Sequence, residues 1–139
     1  MKFINGALFI ATVLIHLKTV ASLCNVYPKI FGEKTSDINF LDIEINEQTD
    51  TIVSCGGIKD ASIFSTSDFY PLIIVSSLTT TDVKWAVTYY TMTNYKAYKV
   101  TINSNGKYIA GLIGTPYNLI VFDAEDGSVK SSSEFMYSG

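Results

Sequence analysis

Few residues in this chain have types and spacings that could do chemistry. Trp85, the one tryptophan, is followed closely by Tyr89 and Tyr90. Aromatic faces grouped this way can form a stacking platform for a sugar, although at alternating strand positions the same side chains pack between layers instead. Asp68 and Asp82 are a candidate carboxylate pair for glycoside hydrolysis, which needs two carboxyl groups roughly 5 to 10 Å apart across a cleft. Nothing in their spacing demands that role, and a solvated loop is the plainer home for each. Cys24 and Cys55 are the two cysteines. In an oxidising compartment one disulfide would close a loop of about 30 residues, worth roughly 3 to 4 kcal/mol in the chain-entropy treatment. The alternative is a free, buried thiol at Cys55 in the run "TIVSC". Two cysteines without CxxC spacing, and a single histidine (His16), do not make a zinc tetrahedron, so no metal site is expected. The stretch "DAEDG" (Asp123 to Gly127) has the composition of a calcium loop. Its glycine is fifth where the EF-hand pattern needs it sixth, which leaves a turn as the better reading.

Export sets the setting for these residues. Met1 and Lys2 give a basic start, Phe3 to Leu17 is mostly apolar, and "TVAS" (Thr19 to Ser22) offers small residues for cleavage. This pattern predicts a signal peptide over residues 1–22 and a secreted or cell-surface protein. The apolar run is interrupted by Asn5 and His16 and falls short of the roughly 20 residues that span a bilayer, so no membrane span is expected after cleavage. Leu23 stands where a lipoprotein box would carry a small residue before Cys24. The leader takes Lys2 and Lys18 from the ten basic residues and no acid, leaving eight against thirteen, a net charge near −5. Such a surface disfavours nucleic acid and anionic lipid, which are bound by neutralising phosphates.

The elements that must position these residues are strands. In "FLDIEI" (Phe40 to Ile45) Leu41, Ile43 and Ile45 fall on one face and Asp42 and Glu44 on the other, and "AYKVTI" puts Tyr98, Val100 and Ile102 together. Tyr, Thr, Ile and Val dominate these runs and suit a pleated, half-buried surface, so the class is all-β. "NSNGK" and "AEDGS" place Asn105-Gly106 and Asp126-Gly127 between strands, where such pairs fit tight type I′ turns.

An internal repeat organises residues 23–139. Thr51 to Phe64 aligns without gaps onto Tyr108 to Val121 at a separation of 57, and Asp82 to Tyr90 aligns onto Ser128 to Met136 at 46. The difference of 11 implies an insertion in the first unit, placed by this alignment within Ser65 to Thr81. Units of about 26–81 and 82–127 result, with the start of a third at 128–139. Four short strands recurring every 40 to 50 residues are the mark of a β-propeller blade. "VKWAVTYY", "AYKVTINSNGKYIAGLIG" and "NLIVFDAEDGSVK" resemble the blades of secreted β-propeller-repeat, quinoprotein-like and WD-like propellers. The resemblance is good over Val83 to Lys130 and weak over Asp37 to Leu78. It lacks the Trp-Asp pair of a WD repeat, Phe122-Asp123 standing there, and lacks the tryptophan-docking motif of quinone enzymes, so it implies no cofactor and no cofactor residue.

Antiparallel, four-stranded propeller-type blades, about two of them in an incomplete propeller, are therefore expected, with a small β-sandwich as the alternative. The functional expectation is a secreted or surface binding module for a protein or glycan, with Trp85, Tyr89 and Tyr90 as weak ligand candidates and no catalytic residue assigned. Alternatives are a fragment of an extracellular propeller enzyme, glycosidase or quinoprotein-like dehydrogenase, or a truncated product without independent activity. Closed propellers need about four blades or more, so two would leave an open apolar face and strand edges through which the chain could self-associate.

Overall fold

The computed structural model describes residues 36–60, 68–80, 82–89, 91–114 and 117–135. Residues 1–22, expected to be a signal peptide, and Cys24 and Tyr90 lie outside them. Eight strands make up two sheets. The first comprises β1 (Ser36–Asn46), β2 (Thr51–Asp60), β3 (Tyr70–Ser77) and β4 (Val83–Thr88), and the second β5 (Ala97–Ile102), β6 (Tyr108–Ile113), β7 (Tyr117–Asp123) and β8 (Val129–Phe135). Each sheet is an antiparallel meander in which sequence neighbours are spatial neighbours. Among the described residues the one helical piece is a 3-10 turn, Glu47–Thr49, between β1 and β2. The protein is all-β, with two four-stranded antiparallel sheets packed on one another.

Alternation along the strands explains the packing, because residues paired across an antiparallel ladder share a face. Val53 and Cys55 on β2 pair with Val75 and Ile73 on β3. On β6, Ile109 and Gly111 pair with Phe122 and Ile120 on β7. These two faces meet in a single buried cluster that also takes in Val100 and Ile102. Val53, Cys55, Ile73, Ile109 and Phe122 have no solvent exposure.

Strand β1 has the expected alternation but turns its acidic side inward. Asp42 pairs with Cys55 and Glu44 with Val53, on the face toward the second sheet, while Ile43 and Ile45 are 60% and 51% exposed. The reason is a hydrogen bond. β5 is an edge strand, and the Asp42 carboxylate accepts from its Val100 N–H at 3.0 Å and from Lys99 Nζ at 3.2 Å, pairing a main-chain donor that would otherwise be buried unsatisfied. On β5 itself a bulge between Ala97 and Lys99 separates Tyr98 from the buried Val100 and Ile102.

The repeat is written in the backbone. Bulges occur between Phe40 and Asp42 and between Ala97 and Lys99, 57 residues apart, and between Val75 and Ser76 and between Val121 and Phe122, 46 apart. The insertion begins earlier than the ungapped alignment put it and overlaps only the start of Ser65 to Thr81. β2 has ten residues against six in β6, and the β2–β3 connection spans 61–69 where the β6–β7 connection spans 114–116. The alignment slipped because apolar β-branched runs match one another in many registers. The sheets are also shifted from the sequence units: β4 completes the first sheet, and β8 completes the second rather than beginning another.

The Asn-Gly and Asp-Gly turns are hairpins of a longer kind than type I′. Of each pair only the glycine has a positive φ, 69° at Gly106 and 74° at Gly127. Asn103 N–H reaches Tyr108 O, and Asp123 N–H reaches Ser128 O, so four residues lie between the closing pair in both.

Candidate functional site

The meander topology sends the β1–β2, β3–β4, β5–β6 and β7–β8 turns to one end of the molecule. There they enclose an open cleft of about 270 Å³ lined by Thr49, Thr51, Lys84, Gly106, Ala124 and Glu125. Its walls are fixed by short polar contacts. Asp50, in the left-handed region at φ 51°, accepts from Ser77 Oγ at 2.6 Å and from Thr79 N–H at 2.7 Å. These bonds, led by the one from Ser77, hold its carboxyl below the usual range. Lys84 Nζ donates to Asp50 O and Thr51 Oγ1, each at 3.0 Å. Asn46 caps its own turn, its Oδ1 accepting from Thr49 N–H, and its Nδ2 crosses to Asn103 O and Ser104 O of the second sheet at 3.2 and 3.3 Å. The cleft therefore presents hydroxyls, an ammonium tied to carbonyls and the exposed Glu125, a set suited to hydrogen-bonding a polar ligand.

Trp85 stands behind this cleft as a packed residue. Its indole Nε1 donates to Ala124 O at 3.0 Å, its ring lies 5.8 Å from that of Phe122, and a Cβ added at Gly127 would come within 2.9 Å of it. Tyr89 also packs against the core. Its hydroxyl is buried with no hydrogen-bond partner among the described residues, and burial pushes its pKa up. The indole and this phenol are thus brought to the interface between the sheets.

The remaining sequence candidates do not converge. Asp68 is half-buried just before β3, and Asp82 is exposed before β4, its carbonyl accepting from Ser77 N–H. Cys55 is a free, fully buried thiol. Burial, and then the negative charge of Asp42, push its pKa up to about 12. No disulfide is seen among the described residues, and Cys24 lies outside them. No group of three or more metal-ligating side chains occurs among the described residues, and no described helix is long and apolar enough to cross a membrane. The cleft residues escaped sequence reasoning, since they are scattered over three turns and the first residues of β2 and β4 and so carry no spacing signal. No family profile, curated protein or solved structure matches the chain.

Proposed function

We propose that the chain is a secreted or surface propeller-type binding module that engages a glycan or protein through the turn-bearing end. The observation that carries this reading is how the sheets meet. Positions 57 residues apart face one another across the interface: Asp42 bonds Lys99, Asn46 bonds Asn103, and a Cβ at Gly106 would collide with Thr49. Contact between equivalent positions is what successive propeller blades make around a common axis. A rigid frame with short turns gathered at one end is also the usual carrier of a recognition surface.

The test is a glycan and peptide array probed with the purified protein beside a panel of chromogenic glycosides. Binding without turnover, abolished by Glu125→Ala at unchanged melting temperature, is the expected result. Turnover of any glycoside overturns the assignment in favour of a hydrolase.

A further inference from the structure

The two sheets have two outer faces, and the chain treats them differently. On the first sheet the centre of the outer face is covered, with Ile52, Leu72, Ile74 and Ser76 at 5 to 6% exposure. On the second sheet it is open. Ladder partners put Leu112 with Leu119, and Ala110 with Val121, on that face of β6 and β7, and Ser131, Ser133 and Phe135 beside them on β8. Tyr98, set apart by the β5 bulge, meets Tyr117 edge to face with ring centroids 6.0 Å apart. Tyr117 and Phe135 are 44% and 53% exposed. Cys55, Ile73 and Val75 pack the first sheet onto the second, and the repeat separations of 57 and 46 residues carry them onto Leu112, Leu119 and Val121. The open face thus repeats the positions of a face that already meets another sheet.

We propose that this open face meets the same face of a second copy, so that the protein forms a twofold dimer through its second sheet, independent of any ligand at the turn end. The dimer stacks four sheets and leaves a covered first-sheet face at each end, so assembly stops at two. Shape favours self-pairing. Tyr98, Tyr117 and Phe135 stand at one end of the strands, whereas Thr101, Ala110, Val121 and Ser131 lie toward the other. A twofold axis between the copies, running across the strands, reverses strand direction, so the bulky end of each copy lies over the smaller side chains of the other and the two interdigitate. Tyr108, at the turn end of β6, then comes opposite Gly114 of the other copy, where the aromatic row has no side chain. Charge is also matched. The centre of the face carries no charged residue, and at its margins Lys99 is bonded to Asp42 and Lys130 to Asp123 within the chain, so closure buries no unpaired charge. Four strands about 4.8 Å apart, six to seven residues long at about 3.3 Å each, outline roughly 400 Å². That is about half of what one partner buries in a standard complex, which makes the dimer weak and reversible. Pairing through strand edges is disfavoured, because all four edge strands carry a bulge and bulged edges resist strand addition.

Sedimentation equilibrium of the purified protein from about 1 μM to about 1 mM tests this, the range in which a weak dimer changes population. The mass of the wild-type protein should rise from one chain to two and no further, and hydrogen exchange in β8 should slow as it does. Leu119→Asp, which puts a charge at the centre of the face, should stay at one chain throughout, with near wild-type melting in dilute solution. Should Leu119→Asp fail to fold, Phe135→Asp, at an exposed position of the same face, replaces it. Ile45→Asp, at an exposed position of the first sheet, should dimerise as the wild type does. A wild-type mass that stays at one chain, a mass that grows past two, a folded second-sheet variant that still dimerises, or loss of the dimer in Ile45→Asp would overturn the proposal.

Discussion

At the level of single residues, two side chains join the sheets and a third is sealed in the core, and each makes a measurable prediction. Trp85 joins them with its ring on Phe122 and its N–H on Ala124 O. Trp85→Ala should lower stability by about 3 kcal/mol, the low end for a large aromatic because part of the ring is exposed. Trp85→Phe should lose only about 1 kcal/mol, the worth of the indole hydrogen bond. An unchanged melting temperature in the alanine variant would show that the ring is not part of the core. Asp42 joins the sheets by taking the Val100 N–H. Asp42→Ala should cost about 1 to 3 kcal/mol at neutral pH, since it leaves that donor unpaired. The Val100 bond, then Lys99, lowers the carboxyl pKa in the folded state. This part of the stability is therefore present above the ordinary carboxylate pKa of about 3.9 and is lost as pH falls through the lowered value. Denaturant titrations of wild type and Asp42→Asn should show a gap at pH 7 that narrows on acidification. Cys55 has a pKa pushed up to about 12, so it is protonated and shielded at neutral pH. Alkylation mapped by mass should find it unmodified in native protein and modified in guanidinium. Labelling of Cys55 at the same rate in both would contradict the burial.

At the level of elements, the turns and bulges determine register. Gly106 and Gly127 each combine a positive φ with a close neighbour, Thr49 under one and Trp85 under the other. Gly127→Ala should cost more than about 1 kcal/mol, the usual penalty where the backbone is incompatible with a side chain, because the new methyl also presses on the indole. A thermal melt checks it, and a neutral result would mean that the turn relaxes away from Trp85. Strand class and the position of both glycine turns were legible from the sequence, because period-two alternation and Asn-Gly or Asp-Gly pairs are local signals. The turn type was not, since it depends on how many residues close the hairpin. Nor was the orientation of β1: its alternation marks two faces without saying which is inward, and here an edge N–H across the interface made the acidic side the better choice. Bulges carry no residue signature, which is why Tyr98 was grouped with Val100.

At the level of the whole molecule, the core is shared unequally among strands. β2, β3, β6 and β7 are central to their sheets, whereas every residue of β8 is exposed. Hydrogen exchange should therefore run fastest in β8 and slowest in β3 and β6, as local stability follows burial. Protection of β8 equal to that of β6 in dilute monomer would be inconsistent with this fold. The repeat was legible in outline from its two separations, but the meeting of equivalent positions across the interface was visible only once the sheets were placed. The nearest-neighbour strand order also bears on how the chain acquires its structure. Among the described residues every strand pairing joins sequence neighbours, so each sheet closes through short loops and at small entropic cost. During synthesis the amino-terminal sheet is complete first. From then until Ala97–Phe135 has followed, Val53, Ile73 and Val75 lack the second sheet that buries them. The most aggregation-prone interval in the life of this protein is thus set by the time taken to synthesise β5 to β8, and slowing elongation across that stretch should lower the soluble yield.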